Sequence, residues 1–238
     1  MKRFVVAALV LAMLLVGTGT FAQSVGVSVE GGFVGGYASL EDSVEGVSVK
    51  FVGTMSGYGI IGKVWLTQLP QLTLGVGYSQ QEIRVKYEVG VGGNSQSLSS
   101  TVGTLSSISV LGEYKFYEQL NYSLSITAGV HSNEFKTEFE DGSSDKKNIL
   151  SVGGKGYYDF AKGLRAVAGA SYIFNNLTKE EDEDEAASLK LTAGAEYEFS
   201  QLPGFEVGAH FSYQKSLTYE EQPVLYGVNV GARYTLSF

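Results

Sequence analysis

Cysteine is absent from the 238 residues, tryptophan occurs once, histidine twice and proline three times. Without cysteine there is no disulfide framework, no thiolate metal site and no thiol nucleophile, and a chain free of thiols suits an oxidising compartment. Charged residues make up only 18%, and acids outnumber bases to give a formal net charge of −8. That balance argues against nucleic acid as a partner. Long apolar runs are scarce too. The one at residues 4–16, FVVAALVLAMLLV, falls short of the roughly 20 residues that a helical span needs. With Lys2 and Arg3 before it and GTGTFA (17–22) behind it, this run is expected to be a secretory signal peptide, residues 1–22, cleaved after Ala22. The chain is therefore expected to leave the cytoplasm, and any membrane crossing within residues 23–238 must be made by strands.

What the sequence has in excess is glycine (31), tyrosine (15) and phenylalanine (13), arranged with a period of two. In residues 224–238 the alternate positions Val224, Tyr226, Val228, Val230, Ala232, Tyr234, Leu236 and Phe238 are apolar or aromatic. Those between them are mostly small or polar. Alternation of this length marks a strand that separates two environments. The same pattern recurs upstream, as with Val25, Val27, Val29, Phe33 and Tyr37 against Gly26, Ser28 and Glu30. Ten such strands are legible, joined by four tight turns (67–71, 118–121, 161–163, 200–204) and five polar loops (about 40–47, 89–100, 140–147, 179–187 and 219–223). The apolar phase slips once, from Tyr78 to Ile83, Val85 and Tyr87, as a bulge or a strand leaving the membrane would require. Reading 72–117 as irregular would leave eight strands instead of ten.

The returning strands end alike, in GKVWL (62–66), GEYKF (112–116), GYYDF (156–160), AEYEF (195–199) and ARYTL (232–236). Five copies of one hairpin are therefore expected, with their length variation in the loops. The final strand, through Asn229, Gly231, Tyr234, Leu236 and Phe238, resembles the C-terminal signature of bacterial outer-membrane barrels. Most of the chain resembles the small outer-membrane β-barrel superfamily. The resemblance implies an all-β, closed antiparallel up-and-down transmembrane barrel, located in the outer membrane and surrounded by its lipid. It also implies recognition by the barrel-assembly machinery through the strand ending in Phe238. A monomer is expected. The task is expected to be a structural or surface-interaction role through the longer loops, with a narrow passive channel for small polar solutes as the alternative and a hydrolase as a third reading.

Which face is inside follows from the aromatics. Tyr114, Phe116, Tyr158, Phe160, Tyr197, Phe199, Tyr234 and Phe238 share one strand end and the apolar face, the pattern of an interfacial girdle. Tyr37, Tyr78, Tyr172, Phe174 and Tyr213 suggest a second band. The polar face then lines the lumen with Glu30, Glu113, Asp159, Glu196, Glu198 and Glu206 against Lys63, Lys115, Lys155, Arg165, Lys190 and Arg233, with His131 and His210 added. Balanced charge in a narrow barrel predicts a salt-bridged plug. The spacing of His210 and Ser212 is similar to that of outer-membrane lipid A deacylases, but both residues would face the lumen, away from lipid. Ten strands are also similar to the omptin proteases, yet neither histidine has an adjacent Asp. No catalytic, cofactor-binding or metal-binding residue is therefore expected, and the chain is not expected to be an enzyme. The consecutive acids Glu180 to Glu185 lack calcium-loop spacing and read as a solvated loop.

Overall fold

Period-two alternation builds strands throughout. A computed structural model describes residues 25–44, 47–66, 68–91, 94–138, 144–174, 187–218 and 223–237. The ten strands are β1 (Val25–Val44), β2 (Val47–Leu66), β3 (Leu69–Val91), β4 (Asn94–Gln119), β5 (Tyr122–Thr137), β6 (Ser144–Ala161), β7 (Leu164–Phe174), β8 (Ala187–Glu198), β9 (Phe205–Ser216) and β10 (Leu225–Ser237). Each pairs antiparallel with its sequence neighbours, and β10 pairs with β1 from Gly26↔Ser237 to Ala38↔Leu225, so the sheet closes into a barrel. Ten strands, not eight, form the wall. Where all ten strands pair, closure leaves no edge, whereas β1 beyond Ala38 and β4 before Val102 pair on one side only among the described residues. Residues 1–22, expected from the sequence to be a signal peptide, the acids Glu180 to Glu185 and Phe238 lie outside the described residues.

The apolar side chains turn outward. Among the described residues the buried apolar ones are Val25, Val167, Ile173 and Ala187, while Val110, Ile126 and Val230 are exposed by 58%, 54% and 51%. A soluble barrel buries its apolar face, whereas this one offers it to its surroundings, as a lipid-facing wall does. Both aromatic bands exist. Near the short turns, Tyr197 packs on Phe199 at 5.0 Å, and the Tyr117 and Tyr122 hydroxyls lie 3.0 Å apart. Nearer the loops, Tyr226 stands beside Tyr37 in the register and 5.8 Å from the Tyr213 ring.

The short turns are interlocked by one repeated contact. Asp159, Glu198 and Thr235 hold the fourth position of their copies of the repeat. Their backbone N–H groups donate to the turn carbonyls of Asn121, Gly163 and Gly204, at 2.7, 2.7 and 2.8 Å. Gly163 and Gly204 sit at φ 78° and 81°, a conformation that side chains disfavour.

Two expectations need correction. The segments read as loops at about 40–47 and 89–100 are largely strand. β1 runs to Val44, β3 to Val91, and β4 begins at Asn94. Strand length as well as loop length therefore varies between the repeats. β7 to β10 span 11 to 13 residues and β4 spans 26, roughly 30 Å against 65 Å at a tilt of about 40°. Strands β1 to β4 thus form a tall wall on one side of the barrel. The phase slip after Tyr78 has the second of its two explanations. On β3 the face that carries Tyr78 continues as Gln80, Glu82, Arg84, Lys86 and Glu88, with Arg84–Glu82 and Lys86–Glu88 ion pairs of 2.5 Å. The strand has left the apolar zone, and its outer face has become polar. A register shift does occur nearby, but on β4, where Ile83↔Gly103 is followed by Arg84↔Thr101.

Candidate functional site

The chemistry of the barrel is concentrated on its inner face. Glycine, serine and threonine line much of that face because the interior is narrow. At Gly57 the adjacent strand also comes too close for a side chain, since an added Cβ would run into the carbonyl oxygen of Gln80. Long charged side chains fill the space that these small residues leave. Lys63 on β2 donates to Glu30 on β1 at 3.0 Å. Arg233 on β10 bridges Glu196 on β8, at 3.2 Å, and Glu206 on β9. Glu196 in turn has His210 Nε2 at 3.5 Å from its second oxygen. On the other side, the Tyr157 hydroxyl donates to Glu113 at 3.0 Å, and Lys155 stands 4.0 Å from the same carboxylate. At the short-turn end Arg165 grips Asp159 through Nε and Nη2, at 2.7 and 3.5 Å, with its guanidinium 5.7 Å from the centre of the Tyr157 ring.

A cavity lined by Glu30, Glu196, Glu206, His210, Asn229 and Arg233 measures about 20 Å³, room for about one water molecule. Arg233, Glu196 and Glu206 are exposed by only 20%, 13% and 18%. Charges so enclosed must be paired to be tolerated, and a connected network of this kind rigidifies what it fills.

Of the twelve lumen charges expected from phase, most meet an opposite charge on an adjacent or next-nearest strand, but not all do. Lys115 pairs with Glu118 near the short turns, at 2.8 Å. Glu198 accepts the backbone N–H of Gly204 at 3.4 Å. Lys190 has no ion pair or hydrogen bond among the described residues. His131 lies between Ser109 and Ser151, at 2.8 and 3.0 Å from its two ring nitrogens, so both histidines sit in polar contacts of the lumen. Tyr157 was not singled out from the sequence. Its position on the polar face of GYYDF is the signal, since a lumen-facing tyrosine among charges needs a partner for its hydroxyl.

Past the loop-end aromatic band the tall wall has an inner face of a different kind. Phe51 packs edge-on against Tyr87 with ring centres 5.1 Å apart. In the register Met55 faces Ile83, and Val49 faces Val89. Outside, on the same strands, the polar face offers Lys86, whose hydrogen bond and charge hold the Glu88 carboxyl below its ordinary range. Two tyrosines, Tyr58 and Tyr78, both donate to Gln80 Oε1, at 2.9 and 3.2 Å, at the boundary between the two zones.

No family model matches this chain, and no curated protein matches it. Solved structures do. The translocator domain of the autotransporter NalP from Neisseria meningitidis aligns over 98% of this chain and 97% of its own, with 14% identity and a TM-score of 0.51. The outer membrane protease OmpT from Escherichia coli aligns over 90% of this chain and 97% of its own, at 9% identity and a TM-score of 0.47. The β domain of the Bordetella autotransporter BrkA aligns over 90% and 99%, at 12% identity and a TM-score of 0.46. At such identities the likeness is one of fold. The chain has the fold of an outer-membrane β-barrel, with ten strands.

Proposed function

We propose that this protein is a plugged, non-conducting barrel that acts through the tall wall of β1 to β4. In this reading the wall stands on the outer surface of the cell and the short turns face the periplasm. The observation that carries it is the lumen network. Lys63–Glu30, Arg233 with Glu196 and Glu206, and Tyr157–Glu113 come from seven of the ten strands, and the cavity beside Arg233 measures about 20 Å³. A solute would have to break several ion pairs to pass. The wall, in contrast, has polar strands on its outside and an apolar lining within, a composition suited to contact with another molecule.

Refolded protein in a planar bilayer should give no stable conductance steps. Triple replacement of Glu196, Glu206 and Arg233 with alanine should open steps in the same assay. Unit conductance in the native protein would show that the network leaves a path, and the channel reading would replace this one. Orientation has its own measurement. With no native cysteine, a Glu88→Cys variant on intact cells should react with a membrane-impermeant maleimide. Labelling only after the outer membrane is broken would place the wall on the other side.

A further inference from the structure

We propose that Lys155 and Lys190, with the hydroxyl of Ser125 next to Lys155, form a binding site for a small oxyanion such as phosphate or sulfate, partway along the lumen. Lys155 lies on β6, opposite Ser125 of β5 and Gly169 of β7. Lys190 lies on β8, opposite Ser171 of β7 and Gln214 of β9. Between the two lysines, β7 presents only Gly169 and Ser171 to the lumen. A Cβ at Gly169 would meet Cγ of Lys155 at 3.2 Å, so the Lys155 stem leans across β7 toward β8. Lys155 and Lys190 thus flank β7 from either side, at consecutive lumen positions of its register.

The carboxylates nearby are already taken. Lys63 holds Glu30, Arg233 holds Glu196 and Glu206, and Arg165 holds Asp159. Glu113 takes its short hydrogen bond from Tyr157 and stands 4.0 Å from Lys155. Lys190 therefore has no anionic partner among the described residues. A second observation points to the same place. Ser125 is 2% exposed, and its hydroxyl oxygen is a buried side-chain polar atom without a hydrogen-bond partner. Buried polar groups are nearly always satisfied, and an orphan calls for a water or an ion. An unpaired ammonium at Lys190, a second at Lys155 whose carboxylate stands 4.0 Å away, and a free hydroxyl at Ser125 are donors of the kind that an oxyanion takes. The ligand would be a free solute, because the closed wall keeps lipid headgroups from these inward side chains, and on the plugged reading proposed above it would enter from the loop end.

The test is calorimetric titration of the refolded full-length protein, in uncharged detergent and low-salt buffer, with inorganic phosphate and separately with sulfate. Single-site, saturable binding is expected. Lys190→Gln should weaken it by about tenfold or more, Lys155→Gln should weaken it as well, and Lys215→Gln on the outer face of β9 should leave it unchanged. Native-like migration of unheated protein in detergent gels confirms that each variant has folded. If Lys190→Gln does not fold, the native protein is treated with an amine-acylating reagent and mapped by mass spectrometry. Phosphate should then slow modification of Lys190 while leaving Lys215 unaffected. No saturable binding, equal binding by the folded Lys190→Gln protein, or no protection of Lys190 would each overturn the proposal.

Discussion

Arg233→Ala should lower the unfolding free energy of the refolded barrel by about 3–5 kcal/mol, the cost of stranding a buried charge whose partner has gone. Arg233 is the bridge between Glu196 and Glu206, which come from different strands. Without it, two carboxylates remain in a space of about 20 Å³ with Glu30 on the same lining and His210 as the nearest remaining cation when protonated. Urea titration in lipid vesicles, followed by tryptophan fluorescence, reads the change. Trp65 suits the purpose, being the single tryptophan of the chain and lying against Gly26 on the lumen side. Adding Glu206→Gln to Arg233→Ala should recover part of the loss, because one stranded charge is neutralised. A loss below about 1 kcal/mol, the range of exposed ion pairs, would mean that the network is hydrated and not enclosed.

A second large effect is expected on the opposite face. Val230 lies midway between Tyr226 and Tyr234 on β10 and is 51% exposed on the outer surface. Val230→Arg should destabilise the barrel by about 2–4 kcal/mol, the cost of a cation at the midplane of the apolar band. Ser56→Arg carries the same charge to the outer face of β2, one outward position past Tyr58 and next to Glu82 in the register. There the cost should fall to about 0–1 kcal/mol. The same urea titration applies to both variants. Equal costs at the two positions would move the limit of the membrane past Ser56 and remove the distinction between the apolar zone and the wall.

The architecture was largely legible because a lipid-facing strand has no freedom in its pattern. Tyr114, Tyr158, Tyr197 and Tyr234 fall in one band because each ends a returning strand at the same level of the membrane. The pattern failed where that constraint ends. Ser95 to Ser100 and Glu41 belong to strands that water bathes on the outside, so polar residues there look like a loop although the ladder holds them extended. The lumen was legible by sign but not by partner. Phase alone put Glu30, Glu196, Glu206 and Arg233 on one lining, whereas which acid meets which base depends on register around the barrel. Arg233 reaches Glu196 across the intervening β9, and no local spacing in the sequence encodes that contact. Nor did spacing reveal that Lys190 would be left without a partner, since that follows only after every nearby carboxylate has been matched.

The pairing of β1 with β10 joins Gly26 to Ser237, the most distant partners in the sheet. Every other strand pair closes a hairpin and can form as its two strands meet, but this one must bring together opposite ends of the chain and meet the largest loop-closure entropy. Until it forms, both edge strands carry unpaired backbone groups that hydrocarbon cannot satisfy. Insertion and closure are therefore coupled. An open nine-pair sheet is not a resting state in the membrane, and the seam is where folding must finish.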